Sequence, residues 1–195
     1  MPRWEQGAEE RLRDAAIELF LEHGYENVTV AQITERAGLT RRTFSRYFTD
    51  KRDVLFAGSE MLPVALADAV LKADTALTPF EALLTALEQV GDVLADRVAQ
   101  HAAQRRAIVD ASPELRERGR TKFADVAEAL AGALRQRGAS PSSAALLADV
   151  GVAIFQTAFG RWVDAPKEAT LAQRVREAAE EIADAIGVGE QSRSR

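Results

Sequence analysis

Arg41, Arg42, Thr43, Ser45 and Arg46 lie within six consecutive residues, interrupted only by Phe44. Guanidinium groups bind phosphate and can hold guanine through two parallel hydrogen bonds, and hydroxyls reach base edges or phosphate. To act together these side chains need a short helix with an apolar underside. The neighbouring residues supply one. Thr40 is a good N-cap, and a helix from Arg41 to Tyr47 buries Phe44 and Phe48 while showing the basic, hydroxyl-rich face to solvent. That is the form of a major-groove reader.

The residues before it complete a helix-turn-helix over 29–48. Thr29 is a second N-cap, and Ile33 and Ala37, four apart, form one apolar stripe. Gly38 can take the left-handed conformation that stops a helix, and Leu39 pins the turn to a core.

The stretch resembles the helix-turn-helix of the TetR family of transcriptional regulators. The matching residues are Thr29-Val30, Ile33, Ala37 to Thr40, Thr43-Phe44, Tyr47-Phe48, Lys51 and Leu55. Upstream, Ala15, Ala16, Leu19, Phe20 and Gly24-Tyr25 resemble the family's first helix and its exit. The resemblance covers about the first third of the chain. Ser45 stands where family members most often carry an aromatic residue. The resemblance implies phosphate contacts at Tyr47 and Lys51, a two-fold dimer, and a pocket for a small effector in the C-terminal bundle. Arg41 and Arg42, in the first turn, are the expected base readers, with Thr43, Ser45 and Arg46 beside them. Thr29 and Thr40 are expected to present backbone N–H groups to phosphate.

The net charge of −5 appears wrong for a DNA binder, but the distribution resolves it. Residues 41–52 carry +4 and the remainder −9. A basic spot on an acidic body grips phosphate while limiting non-specific binding. Cysteine is absent, which excludes disulfides and thiol-based metal sites. The two histidines, His23 and His101, lack a second ligand nearby in sequence. His23 sits where its imidazole can meet the last carbonyls of a helix. No metal, cofactor or catalytic set is expected, and the chain reads as no enzyme. No signal pattern appears and no apolar run approaches about 18 residues, so a soluble, cytoplasmic protein is expected.

The pattern is helical throughout, which predicts an all-α fold of about nine helices. A three-helix DNA-binding domain over 6–66 precedes a regulatory and dimerisation bundle over 67–187, with a disordered tail over 188–195. The first helix runs from about Gln6 to His23 on Leu12, Ala16, Leu19 and Phe20. Thr49 is the expected cap of a helix from Asp50 to about Asp74, kinked or broken near Met61 by Pro63. Thr78-Pro79, Ser112-Pro113 and Ser140-Pro141 are start signals for later helices, and a last one spans about Thr170 to Ile186.

In the bundle, Phe80, Phe123, Phe155, Phe159 and Trp162 fit a core at helical spacing; the same set could line a cavity for an apolar or aromatic effector. Ala144, Ala148, Gly151, Ala158 and Gly160 let helices approach closely. They suit either packing inside one subunit or, with the last helix, half of a dimer interface. The reading is a dimeric repressor that binds a palindromic operator and is released by a small molecule. Its rival is a helical interaction module that uses the basic helix on an acidic protein partner.

Overall fold

The computed structural model describes residues 7–56 and 61–187. Its α-helices are α1 (Ala8–His23), α2 (Val30–Arg36), α3 (Arg41–Tyr47), α4 (Asp53–Phe56), α5 (Leu62–Lys72), α6 (Pro79–Val98), α7 (Ala102–Ala111), α8 (Pro113–Gln136), α9 (Pro141–Asp164) and α10 (Leu171–Ala185). Single 3-10 turns span Tyr25–Asn27 and Ala99–His101, and no strand occurs among the described residues. The fold is all-α. The helix expected from Asp50 to about Asp74, with a kink or break near Met61, is described over 53–56 and 62–72. Pro63 lies in the first turn of α5, where a missing N–H costs nothing, rather than inside a helix. The tail expected over 188–195 lies outside the described residues.

The chain forms two compact units. The first joins Met1–Glu60 to His101–Gly119; the second joins Met61–Gln100 to Arg120–Arg195. A contiguous division at residue 66 therefore misses the contribution of residues 101–119 to the first unit.

In the first unit α1 packs against α2, α3, α4 and α7. Leu12, Ala16, Leu19 and Phe20 are all buried, as their spacing requires. Gly24 ends α1 at φ +78°, its N–H donating to Phe20 O at 3.0 Å. His23 does not cap this end. Its carbonyl accepts from the Asn27 amide at 2.8 Å, while its exposed ring lies 3.5 Å from Glu22. Thr49 is not the cap of α4 either. Asp50 accepts from the N–H groups of Arg52 and Asp53, and Asp53 accepts in return from those of Thr49 and Asp50.

In the second unit α10 packs on α9 and α6, and α5 on α6. The small residues of α9 decide this packing. A Cβ at Gly151 would stand 3.0 Å from the Leu83 side chain of α6, and one at Gly91 would stand 3.3 Å from Leu171 of α10. Ala144, Ala148, Gly151 and Ala158 are buried inside the subunit. The stripe is thus internal packing, and any partner of α9 must use its other face, where Leu146 is 66% exposed. By length and composition alone α9 could cross a membrane, although no uninterrupted apolar run suggested it; here a third of its apolar window is buried. Arg137 closes the end of α5, donating to the carbonyls of Val70, Ala73, Asp74 and Leu77.

Candidate nucleic-acid interface

The two motif helices are capped from within. The Thr29 hydroxyl accepts from the Gln32 N–H at 3.3 Å, and the Gln32 side chain accepts from the Thr29 N–H at 2.8 Å. At the turn Gly38 has φ +63°, its N–H donating to Glu35 O, and the Leu39 N–H donates to Thr34 O. The Arg11 guanidinium donates to Ala37 O, and its nitrogen lies 3.1 Å from where a Cβ at Gly38 would stand. Any side chain at 38 would therefore meet both backbone strain and Arg11. Thr40 then caps α3, its hydroxyl accepting from the Thr43 N–H at 3.1 Å.

Phe44 and Phe48 are 1% and 3% exposed, their rings 5.4 Å apart. They hold the underside of α3 in the core beside Ile33 and Leu12. On the outer side the cations differ in what they touch. Arg46 lies over the Tyr47 ring at 4.8 Å and donates to its hydroxyl at 3.0 Å. Arg52 pairs with Asp50 and, at 3.2 Å, with Glu114. The Arg52 guanidinium holds the Asp50 carboxyl below the usual range. Arg41 and Arg42 are exposed, and among the described residues neither has a partner. Ser45 is exposed; Thr43 and Tyr47 are half-buried.

Lys51, expected at a phosphate, faces inward. Its ammonium donates to the carbonyls of Tyr25 at 2.7 Å, Glu26 at 3.3 Å and Val28 at 2.9 Å, and sits 4.2 Å from the Tyr25 ring centroid. An ammonium has three donors, and here there are three acceptors. Burial pushes the Tyr25 hydroxyl well above the usual phenol range.

Residues 101–119 bind this unit through polar contacts invisible in the sequence. His101 Nε2 lies 2.8 Å from Asp14, and Arg105 donates to Leu55 O. Ser112, 5% exposed, donates to Glu26 at 3.1 Å. Each link joins residues 50 or more positions apart, so no local pattern signals it. No metal-holding cluster of His, Cys, Asp or Glu occurs among the described residues.

In the second unit, Phe155 and Phe159 stack with centroids 6.3 Å apart, and Phe159 meets Trp162 at 5.7 Å. Phe80 and Phe123 are half-buried and make no ring contact among the described residues. Of the five candidate effector residues, Trp162 lines an open cleft of about 610 Å³ and the other four do not.

The sequence profile described as bacterial regulatory proteins, tetR family, matches residues 12–57. Among curated proteins, the chain is similar to the putative mycofactocin biosynthesis transcriptional regulator MftR of Mycobacterium tuberculosis. The two are 29% identical over 126 residues, 65% of this chain and 63% of that protein. It is also similar to the HTH-type transcriptional regulator BetI of Escherichia coli, 41% identical over 61 residues, 31% of each chain. The chain thus matches less than two thirds of the length of these relatives. Among solved structures, the fold is similar to that of SmeT of Stenotrophomonas maltophilia in complex with triclosan. That match has a TM-score of 0.60 and 24% identity, and covers 92% of this chain and 91% of that one.

Proposed function

We propose that the chain belongs, through residues 12–57, to the tetR family of bacterial regulatory proteins and that it is a dimeric, sequence-specific repressor released from its operator by a small molecule. One observation carries the DNA-reading part. Arg41 and Arg42, without a partner among the described residues, stand in the first turn of a helix whose underside is fixed by Phe44 and Phe48. They read base edges. Thr43, Ser45, Arg46 and Tyr47 hold the backbone; the N–H groups of Thr29, Gln32 and Thr43 are already used in capping α2 and α3, which leaves the other first-turn N–H groups behind Thr29 and Thr40 for phosphate. Lys51 acts through the carbonyls it binds, keeping the turn before α2 in place, rather than through phosphate.

Two recognition helices must meet successive major grooves, so a dimer is required for a palindromic site. The exposed face of α9 around Leu146 is the surface assigned to it, because the opposite face is filled by α6. The effector acts in the second unit. Release requires the effector to prefer one state of the protein; equal affinity for both shifts nothing. The protein works on chromosomal DNA in the cytoplasm.

The test is fluorescence anisotropy with a duplex from the region upstream of the coding gene. Steep salt dependence and discrimination against scrambled duplexes are expected. Binding that ignores sequence at every salt concentration would refute the reading.

A further inference from the structure

The second unit holds a cleft lined by the C-terminal half of α6, the end of α9 and the start of α10. Its volume, about 610 Å³, falls within the range of small-molecule sites. One wall is Trp162, only 5% exposed and seated against Phe159. Its indole N–H makes no hydrogen bond with any described residue.

The charges of the cleft are unequal. Asp92, Asp96 and Glu168 line it against a single Lys167. The N-terminus of α10 also opens there and would ordinarily attract an anion. It is already satisfied from inside the subunit. Asp92 accepts from the Ala172 N–H at 2.9 Å, and the Thr170 hydroxyl accepts from the Gln173 N–H at 3.2 Å. Glu168 is paired with Arg174 at 3.2 Å. Asp96 alone of the three carboxylates has no partner among the described residues. An anion entering the cleft meets Lys167, but against it three carboxylates and helix donors already in use. A cation meets one free carboxylate and an aromatic wall.

We propose that this cleft binds a flat organic cation, its charged head at Asp96 and its ring system against Trp162. The charged head pairs with the Asp96 carboxylate, the ring packs on the indole, and the pairing strengthens as water is excluded. The proposal names the chemical class of the effector and rests on the proposed function for its regulatory consequence, though not for binding.

The test uses the full chain and three compounds that share one ring system: 1-naphthylmethylammonium, 1-naphthalenemethanol and 1-naphthoate. Isothermal titration should show the cation binding about tenfold more tightly than the alcohol, and the carboxylate not binding. Asp96→Asn should weaken the cation about fivefold and leave the alcohol unchanged; Lys167→Ala should tighten the cation. Equal affinity for all three compounds, or a cation affinity indifferent to Asp96→Asn, would overturn the assignment. Operator affinity, measured separately with and without the cation, tells the two readings apart. Binding that leaves operator affinity unchanged keeps the cation site and overturns its role as effector. Release of the operator by naphthoate, with no cation binding, keeps the effector reading and overturns the site.

Discussion

The α2–α3 motif and the α9–α10 pair are held by interactions of different reach. In the motif the decisive contacts are close in sequence: Thr29 with Gln32, Gly38 with Glu35, Thr40 with Thr43. In α9 and α10 the decisive partners are distant: Gly151 against Leu83, Leu171 against Gly91, and Asp92 on the Ala172 N–H, 80 residues away. A local contact ties function to a few residues that can be changed singly. A distant one ties it to the packing of the whole unit. The same residue type therefore has different consequences in the two regions. Arg41 and Arg42 in the motif have no partner among the described residues, whereas small residues in α9 that resemble an interface are interior.

The largest effect should come from Gly151→Asp. A carboxylate there would be buried against Leu83 without a partner, and the second unit should lose about 3–5 kcal/mol. Urea unfolding followed by circular dichroism measures it. Leu146→Asp is the control: on the exposed face it should shift sedimentation from dimer to monomer with little change in the urea midpoint. If Gly151→Asp instead yields stable monomers, the small-residue stripe is the subunit boundary after all.

Lys51→Met comes next. Removing three hydrogen bonds from an ammonium should destabilise the first unit by about 2–3 kcal/mol and weaken all DNA sequences together. A variant with an unchanged melting temperature, whose only defect is a salt slope flatter by about one, would return Lys51 to the phosphate backbone.

Arg42→Ala should leave stability unchanged within about 0.5 kcal/mol, because the side chain is exposed and has no partner among the described residues. It should cost about 1–3 kcal/mol on the operator and relax discrimination at one base pair. Competition with single-base variants of the duplex reads this directly. Loss of stability together with retained base preference would place Arg42 in the fold rather than at the DNA.

The smallest effect is electrostatic. Asp50 is held below its ordinary range by Arg52, so its folded value lies under its unfolded one. Its contribution is present above the unfolded value and is lost as pH falls through the folded one. Solvent screening limits it to under about 1 kcal/mol. Asp50→Asn should flatten the decline of melting temperature in acid, and an unaltered acid profile would remove Asp50 from the account.

Capping residues, helix-stopping glycines and 3.6-residue periodicity were enough for the sequence to determine an all-α fold and the bounds of α3, because each acts over one or two turns. The burial of Phe44 and Phe48 and the left-handed turn at Gly38 follow from the same short-range rules. What tertiary structure alone decided is which polar groups remain available. Arg41, Arg42, Lys51 and Arg52 all count toward the basic stretch over 41–52, and Lys51 is expected at DNA with the first two. Yet Lys51 reaches carbonyls 23 to 26 residues back and Arg52 reaches Glu114, while the first two have no partner among the described residues. Residues 101–119 join the first unit through His101, Arg105 and Ser112, and their partners carry no periodic signal. The face that α9 buries was equally undecided, since small residues suit close approach to any helix and only the tertiary structure brings Leu83 of α6 against Gly151. Periodicity shows that a residue has a buried or an exposed side; the partner on that side depends on chain segments far away in sequence.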